Sequence, residues 1–390
     1  MINKGRDRDN SIIGSYGQWA NSLLEGRLPG LSFRSDEWSN LNKWKVSARK
    51  TIFERLAIRD LGGIPIVNTL KKYIYDDLEI EELSWQLPYG PKTNAILLKP
   101  VGVKGPLPAI LAFYDHGLQK YFGVEKITRT PGSTNSIIKA HQKELYGNQA
   151  WANEIAKRGY VVLVADVFPF GSRRVLLENV PEAIKNLSLG LNLKNPGSIS
   201  YIKSYNIWAA VHEHVIAKSL FSAGITWPAV FFGEDRIALD ILCAREDVDA
   251  NRIGCGGLSG GGIRTNFMGG LDPRIKCAVS VAFQTTWKDL ILNNSYTHSW
   301  MTFAPLLSND LEYPEILGLR TPLPTLVLNN SDDPLFTLSE QKRADKILKD
   351  VYIKAGAGNN YKCSFYPGPH KFDVKMQAEA FSWFDKWLKA

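Results

Sequence analysis

The chain has 390 residues, 44% of them hydrophobic and 22% charged, enough for one large buried core with appendages and unlike a low-complexity or fibrous chain. Its formal charge is +8 and its pI near 9.1, but the lysines and arginines are spread along the chain without a basic stripe interleaved with aromatics, which argues against nucleic-acid binding. Cys243, Cys255, Cys277 and Cys363 lack paired or metal-ligand spacing, no apolar run is long enough for a membrane, and Met1 to Arg8 carry no signal-peptide core, so a cytoplasmic protein without a membrane partner is expected.

Residues 11–62 read as helical. Trp19, Leu23 and Leu24 mark a short helix, and Ser35 is placed to cap a longer one through Trp38, Leu41, Trp44, Val46, Ile52, Phe53 and Leu56. Residues 1–71 are too few to bury a core alone and are expected as an extension packed on a larger unit, residues 72–390. Segments 80–87 and 95–98, with Gly90-Pro91-Lys92 as the turn between them, predict an antiparallel edge. Buried strands are expected at 108–114, 160–165, 252–256, 276–281, 324–329 and 361–366, with helices at 149–157, 234–244, 338–349 and 377–388. This alternation predicts an α/β fold, a mostly parallel sheet with helices on both faces, whose ligands bind at the carboxyl ends of the strands. Two insertions, 171–225 (helix-like over 205–221) and 284–320, are expected to cap that end.

Gly257-Leu258-Ser259-Gly260-Gly261 stands out, because it joins the predicted strand 252–256 to a helix-like run from Gly262 to Met268. Strand, sharp turn and helix together hold a G-x-S-x-G serine in a strained, exposed conformation, and side chains in place of the glycines would collide with the flanking elements. A serine hydroxyl is a poor nucleophile unless a histidine takes its proton and a carboxylate fixes the histidine's tautomer. Where this turn carries a nucleophile, the chain order is serine, acid, histidine. Only His298 and His370 follow Ser259, and only His370 also follows the loop Asn329-Asn330-Ser331-Asp332-Asp333-Pro334, which succeeds a late buried strand. His370, on a Gly- and Pro-rich loop after the last strand, is therefore the candidate base. Asp332 and Asp333 compete for the acid. Asp333 is preferred because the residue before a proline is held extended and can point back to the histidine loop, which leaves Asp332 as a turn residue. Amide donors for a developing oxyanion are expected from Gly260 and from Gly117 or Leu118, in the loop after strand 108–114, with His116 as a structural hydrogen-bonder.

Asp115-His116-Gly117, the run from Gly159 to Asp166, the turn at Ser259, Asn330-Ser331-Asp332-Asp333-Pro334 and Tyr366-Pro367-Gly368-Pro369-His370 together resemble the α/β-hydrolase superfamily. Within it the chain is most similar to bacterial dienelactone-hydrolase-like and acetyl-xylan-esterase-like proteins with an N-terminal extension, over about residues 72–390. The resemblance implies a cofactor-free serine esterase acting on a small-molecule or carbohydrate ester, with acetyl or other short-chain esters favoured. It also supports Asp333 as the acid. Two other readings are a peptidase of this fold, although the chain has no room for the propeller domain of prolyl-oligopeptidase-type relatives, and a non-catalytic binding protein, although such proteins usually lose a triad member. Trp208, Trp227, Trp287 and Trp300 lie in or beside the insertions, where indole faces suit sugar rings but also fill cap cores. Arg173 is placed to meet a substrate carboxylate or to form a salt bridge within the cap. His212-Glu213-His214 looks like a metal cluster, but residues at i and i+2 of a helix face nearly opposite ways, so no metal is expected there.

Overall fold

A computed structural model describes residues 11–188, 190–192 and 194–389, so the expectation for Met1 to Arg8 lies outside the described residues. One nine-stranded sheet organises the chain: β1 (Asn68–Tyr75), β2 (Leu78–Trp85), β3 (Thr93–Pro100), β4 (Leu107–Phe113), β5 (Val161–Ala165), β6 (Val248–Leu258), β7 (Ile275–Val281), β8 (Thr325–Asn330) and β9 (Tyr361–Tyr366). Their spatial order is β1-β2-β3-β5-β4-β6-β7-β8-β9. β1, β2 and β3 pair antiparallel and β3 runs antiparallel to β5, while β5, β4, β6, β7, β8 and β9 are mutually parallel. The parallel strands read as continuous apolar runs because both faces are covered: Val161–Ala165 is buried throughout, as is Ile253 to Leu258. Helices Trp227–Cys243 and Gly260–Leu271 cover one face, and Trp151–Ala156 and Val374–Leu388 the other.

The N-terminal helix begins later than its cap residue predicts. It spans Leu41–Leu56, and Asn40, not Ser35, accepts the Lys43 amide at 3.0 Å. Ser35 instead sits in a turn, with its own amide bonded to the Ser32 carbonyl. Trp44, Ala48, Ile52 and Leu56 form the buried stripe, at the i, i+4 spacing of one helical face. Arg49 donates to the carbonyls of Gly270 and Leu319, and Arg55 pairs with Asp310 at 2.6 Å, so the extension is fastened to the helices behind the sheet. The short helix comes out at Tyr16–Ser22, with Trp19 61% exposed rather than buried. β1 runs across position 71 and belongs to the sheet. In the first insertion the helix is longer than expected, Ile199–Ser222, and the second is a chain of short helical turns between Trp287 and Gly318. No single described helix is long and apolar enough to cross a membrane.

Candidate active site

Three side chains singled out by the sequence stand at the carboxyl ends of three parallel strands: Ser259 directly after β6, Asp333 after β8 and His370 after β9. Ser259 has φ 58° and ψ −115°, a conformation costly for an L-residue, and a site that pins such a residue from both sides is a candidate for function. Its amide donates to the Val281 carbonyl at 2.9 Å and its carbonyl accepts the Ile263 amide at 2.9 Å. Glycine is required beside it: a Cβ on Gly257 would stand 2.3 Å from the Phe113 carbonyl oxygen, and one on Gly260 would stand 2.8 Å from the His116 nitrogen.

His370 Nδ1 lies 2.6 Å from Asp333 Oδ2, and Asp333 Oδ1 accepts the Leu335 amide at 3.0 Å. A carboxylate at Nδ1 places the ring proton there, leaving Nε2 with its lone pair. Nε2 of His370 is buried and makes no hydrogen bond to the described residues. Asp332 does something else. Its Oδ2 accepts the Gly368 amide at 2.7 Å, and its own amide donates to the Gly368 carbonyl, clasping the histidine loop. His298 packs edge-on against Phe283 and Phe336, and Phe336 in turn leans on His370 at 6.5 Å.

The loop after β4 departs from expectation at one amide. Gly117 and Leu118 both have positive φ, 49° and 54°, and in that tight turn the Leu118 amide donates to His116 Nδ1 at 3.2 Å. Its donor is thus taken by its own loop, and the amide that lies against Gly260 is that of His116. Behind the loop, Lys126 is fully buried and its Nζ donates to the carbonyls of Asp115 (2.8 Å) and His116 (3.0 Å). Burial lowers the Lys126 ammonium to about 8 despite the opposing pull of Asp115. Asp115 Oδ1 is bonded by Tyr146 Oη (2.5 Å) and His141 Nε2 (3.0 Å); burial would raise this carboxyl, but His141, Lys126 and Tyr146 hold it well below the usual range.

Glu213, read as part of an apparent metal cluster, ties the cap to this loop. Its Oε1 lies 2.7 Å from His116 Nε2 and 2.5 Å from Lys120 Nζ, and its Oε2 accepts the Trp300 amide at 3.2 Å. Burial opposes ionisation of Glu213, but His116 and Lys120 keep it below the normal carboxylate range. His212 turns away and stacks on Trp208, while His214 Nδ1 bonds the Val211 carbonyl.

The aromatic candidates divide by burial. Trp208 and Trp227 are sealed in the interior, and Trp208 Nε1 donates to the Ile184 carbonyl at 2.8 Å. Trp287 is 6% exposed and spends its Nε1 on the Leu311 carbonyl at 2.7 Å. All three are thus packed into the interior, whereas Trp300 keeps 39% of its surface exposed. Arg173 is likewise structural: it is 2% exposed, pairs with Glu234 at 2.6 Å, and donates to the carbonyls of Tyr89 and Pro91. Sequence reasoning missed Lys126, Lys120 and the part that Glu213 plays. No local pattern marked them, since each acts through a contact between segments distant in sequence.

No protein-family model matches the chain. Among curated proteins it is 25% identical over 350 residues to the Bacillus subtilis protein named "Putative hydrolase YtaP", covering 88% of this chain and 100% of that one. Among solved structures it superposes on a "putative acetyl xylan esterase" from Bacteroides fragilis with TM-score 0.67 and 17% identity, covering 93% of this chain and 85% of that one. A glucuronoyl esterase from Solibacter usitatus gives TM-score 0.60 at 13% identity over 92% of this chain and 97% of that one. The methylesterase BT1017 gives 0.60 at 16% identity over 98% and 70%. The chain shares the α/β-hydrolase fold of these proteins.

Proposed function

We propose that the protein is a serine carboxylic ester hydrolase working through Ser259, His370 and Asp333. The observation that carries the reading is the 2.6 Å contact between His370 and Asp333, with His370 Nε2 left unpaired among the described residues, at the carboxyl end of the sheet that also holds the strained Ser259. In this mechanism Ser259 Oγ attacks the ester carbonyl while His370 Nε2 takes its proton. Asp333 holds the tautomer and stabilises the imidazolium. The tetrahedral oxyanion is met by the amides of Gly260 and of the 116–117 loop, and His370 then hands its proton to the departing alcohol. Water, activated by the same histidine, releases the acyl group. No cofactor enters this chemistry.

The names of the structural neighbours favour a carbohydrate-type alcohol, and short acyl groups such as acetyl are the substrates proposed here. The exposed indole of Trp300 offers a surface for a sugar ring. A panel of acetylated sugars, lactones, aryl acetates, uronate methyl esters and acyl anilides tests this directly. Acetylated sugars should give the highest kcat/KM, with the anilides slowest. If acetylated sugars proved poorest while aryl acetates turned over, the substrate would be wrong and the mechanism would survive; anilides faster than esters would indicate an amidase.

A further inference from the structure

In the proposed mechanism the loop that follows β4 presents N–H groups to the reacting oxygen; its own turn holds one carbonyl, His116 accepting the Gln119 amide at 3.1 Å, and leaves the Asp115 carbonyl to be held from outside. In a trans peptide the C=O and N–H point in opposite directions, so a group that captures the carbonyls on one side aims the amides at the other. Lys126 does this twice. Its Nζ takes the Asp115 carbonyl at 2.8 Å and the His116 carbonyl at 3.0 Å, which turns the His116 and Gly117 amides away from the lysine. Gly260 is the close neighbour of this peptide: a Cβ built on it would fall 2.8 Å from the His116 nitrogen. The neighbouring Leu118 amide is already committed to His116 Nδ1.

A buried ammonium is expensive. Lys126 is fully buried, and among the described residues its hydrogen bonds go to two carbonyls and to no carboxylate. The Tyr114 and Phe170 rings lie 5.2 and 4.8 Å from it, so it is also boxed by aromatic faces. Methionine or leucine would fill that space without the desolvation cost. The retained charge helps keep the buried Asp115 carboxylate ionised, and its hydrogen bonds add a second role, the holding of two peptide planes.

We infer that Lys126 is the positioning residue of the oxyanion site: it fixes the 115–117 peptides so that the His116 and Gly117 amides join Gly260 as donors. This rests on the proposed esterase mechanism for its catalytic consequence, but not for the anchoring itself.

Lys126→Met removes both bonds and keeps the volume, while Lys126→Gln keeps a single amide donor group. For an aryl acetate, kcat of Lys126→Met should fall about 100-fold, the scale of losing an oxyanion donor, with KM changed less than about three-fold. Affinity for a boronic acid, which forms a tetrahedral adduct on the serine, should fall in parallel, and Lys126→Gln should fall between wild type and Lys126→Met. Hydrogen exchange of the 115–118 amides, read by mass spectrometry, should accelerate in Lys126→Met at least ten-fold while the helix Gly260–Leu271 is unchanged. A folded Lys126→Met with kcat within three-fold of wild type would overturn the inference, as would loss of kcat with undiminished boronate affinity. If wild type itself hydrolysed no ester, the proposed function would fall; the exchange measurement would still decide whether Lys126 holds the loop.

Discussion

Asp333→Asn should lower kcat by on the order of 10⁴, while Asp332→Asn stays within a few-fold of wild type. The two residues are adjacent, yet their bonds separate them. Asp333 Oδ2 lies 2.6 Å from His370 Nδ1, so an amide there can present its N–H₂ and trap the imidazole in the tautomer that has no lone pair at Nε2. Asp332 Oδ2 only accepts the Gly368 amide at 2.7 Å, a bond that the Asn carbonyl reproduces. Steady-state kinetics on one aryl acetate decides it: comparable losses in the two variants would remove the assignment of Asp333 as the orienting acid.

The largest stability effect should come from Asp235→Ala. Arg264, five residues beyond Ser259 on the helix behind the nucleophile turn, donates through Nε and Nη2 to the two carboxylate oxygens of Asp235 at 3.0 and 2.7 Å, and each side chain is 2% exposed. Its guanidinium also lies over Phe113 and Tyr114, at 4.4 and 5.0 Å from the ring centroids. Removing the carboxylate strands a cation in the core, which costs about 3–5 kcal/mol. Replacing both partners with hydrophobic residues, as in Asp235→Leu with Arg264→Met, should recover most of that loss, because the penalty comes from the unpaired charge rather than from the absent bridge. Urea unfolding of the single and double variants gives the comparison. A single-variant cost below about 1 kcal/mol would contradict this reading of the pair.

The sheet and the placement of Ser259, Asp333 and His370 were legible because each depends on local chemistry: an apolar run, then a turn with glycine, proline or aspartate. β1 was not legible. Its residues are exposed on nearly every position, as on a sheet edge, so Asn68-Thr69-Leu70-Lys71-Lys72 carries no burial alternation to read. Ser35 fits the N-cap preference as well as Asn40 does, and propensity alone could not choose between them. The tryptophans and Arg173 expose the other limit. Residue type says that indole can stack on a sugar and guanidinium can meet a carboxylate, but only packing shows that Trp208 and Trp227 are sealed and that Arg173 is held by Glu234. The choice between the Gly117 and Leu118 amides was left open for a subtler reason. The Leu118 N–H donates to the ring of His116, two residues back, a competition between side chain and backbone that no pattern announces.

The most direct measurement is intact-mass and peptide-level analysis after exposure to a fluorophosphonate. One phosphonyl group should be added per chain, on Ser259, and it should be absent from Ser259→Ala and strongly slowed in His370→Ala. A folded wild-type protein that takes up no label, or that is labelled on another residue while Ser259→Ala still hydrolyses esters, would contradict the assignment of Ser259 as the nucleophile.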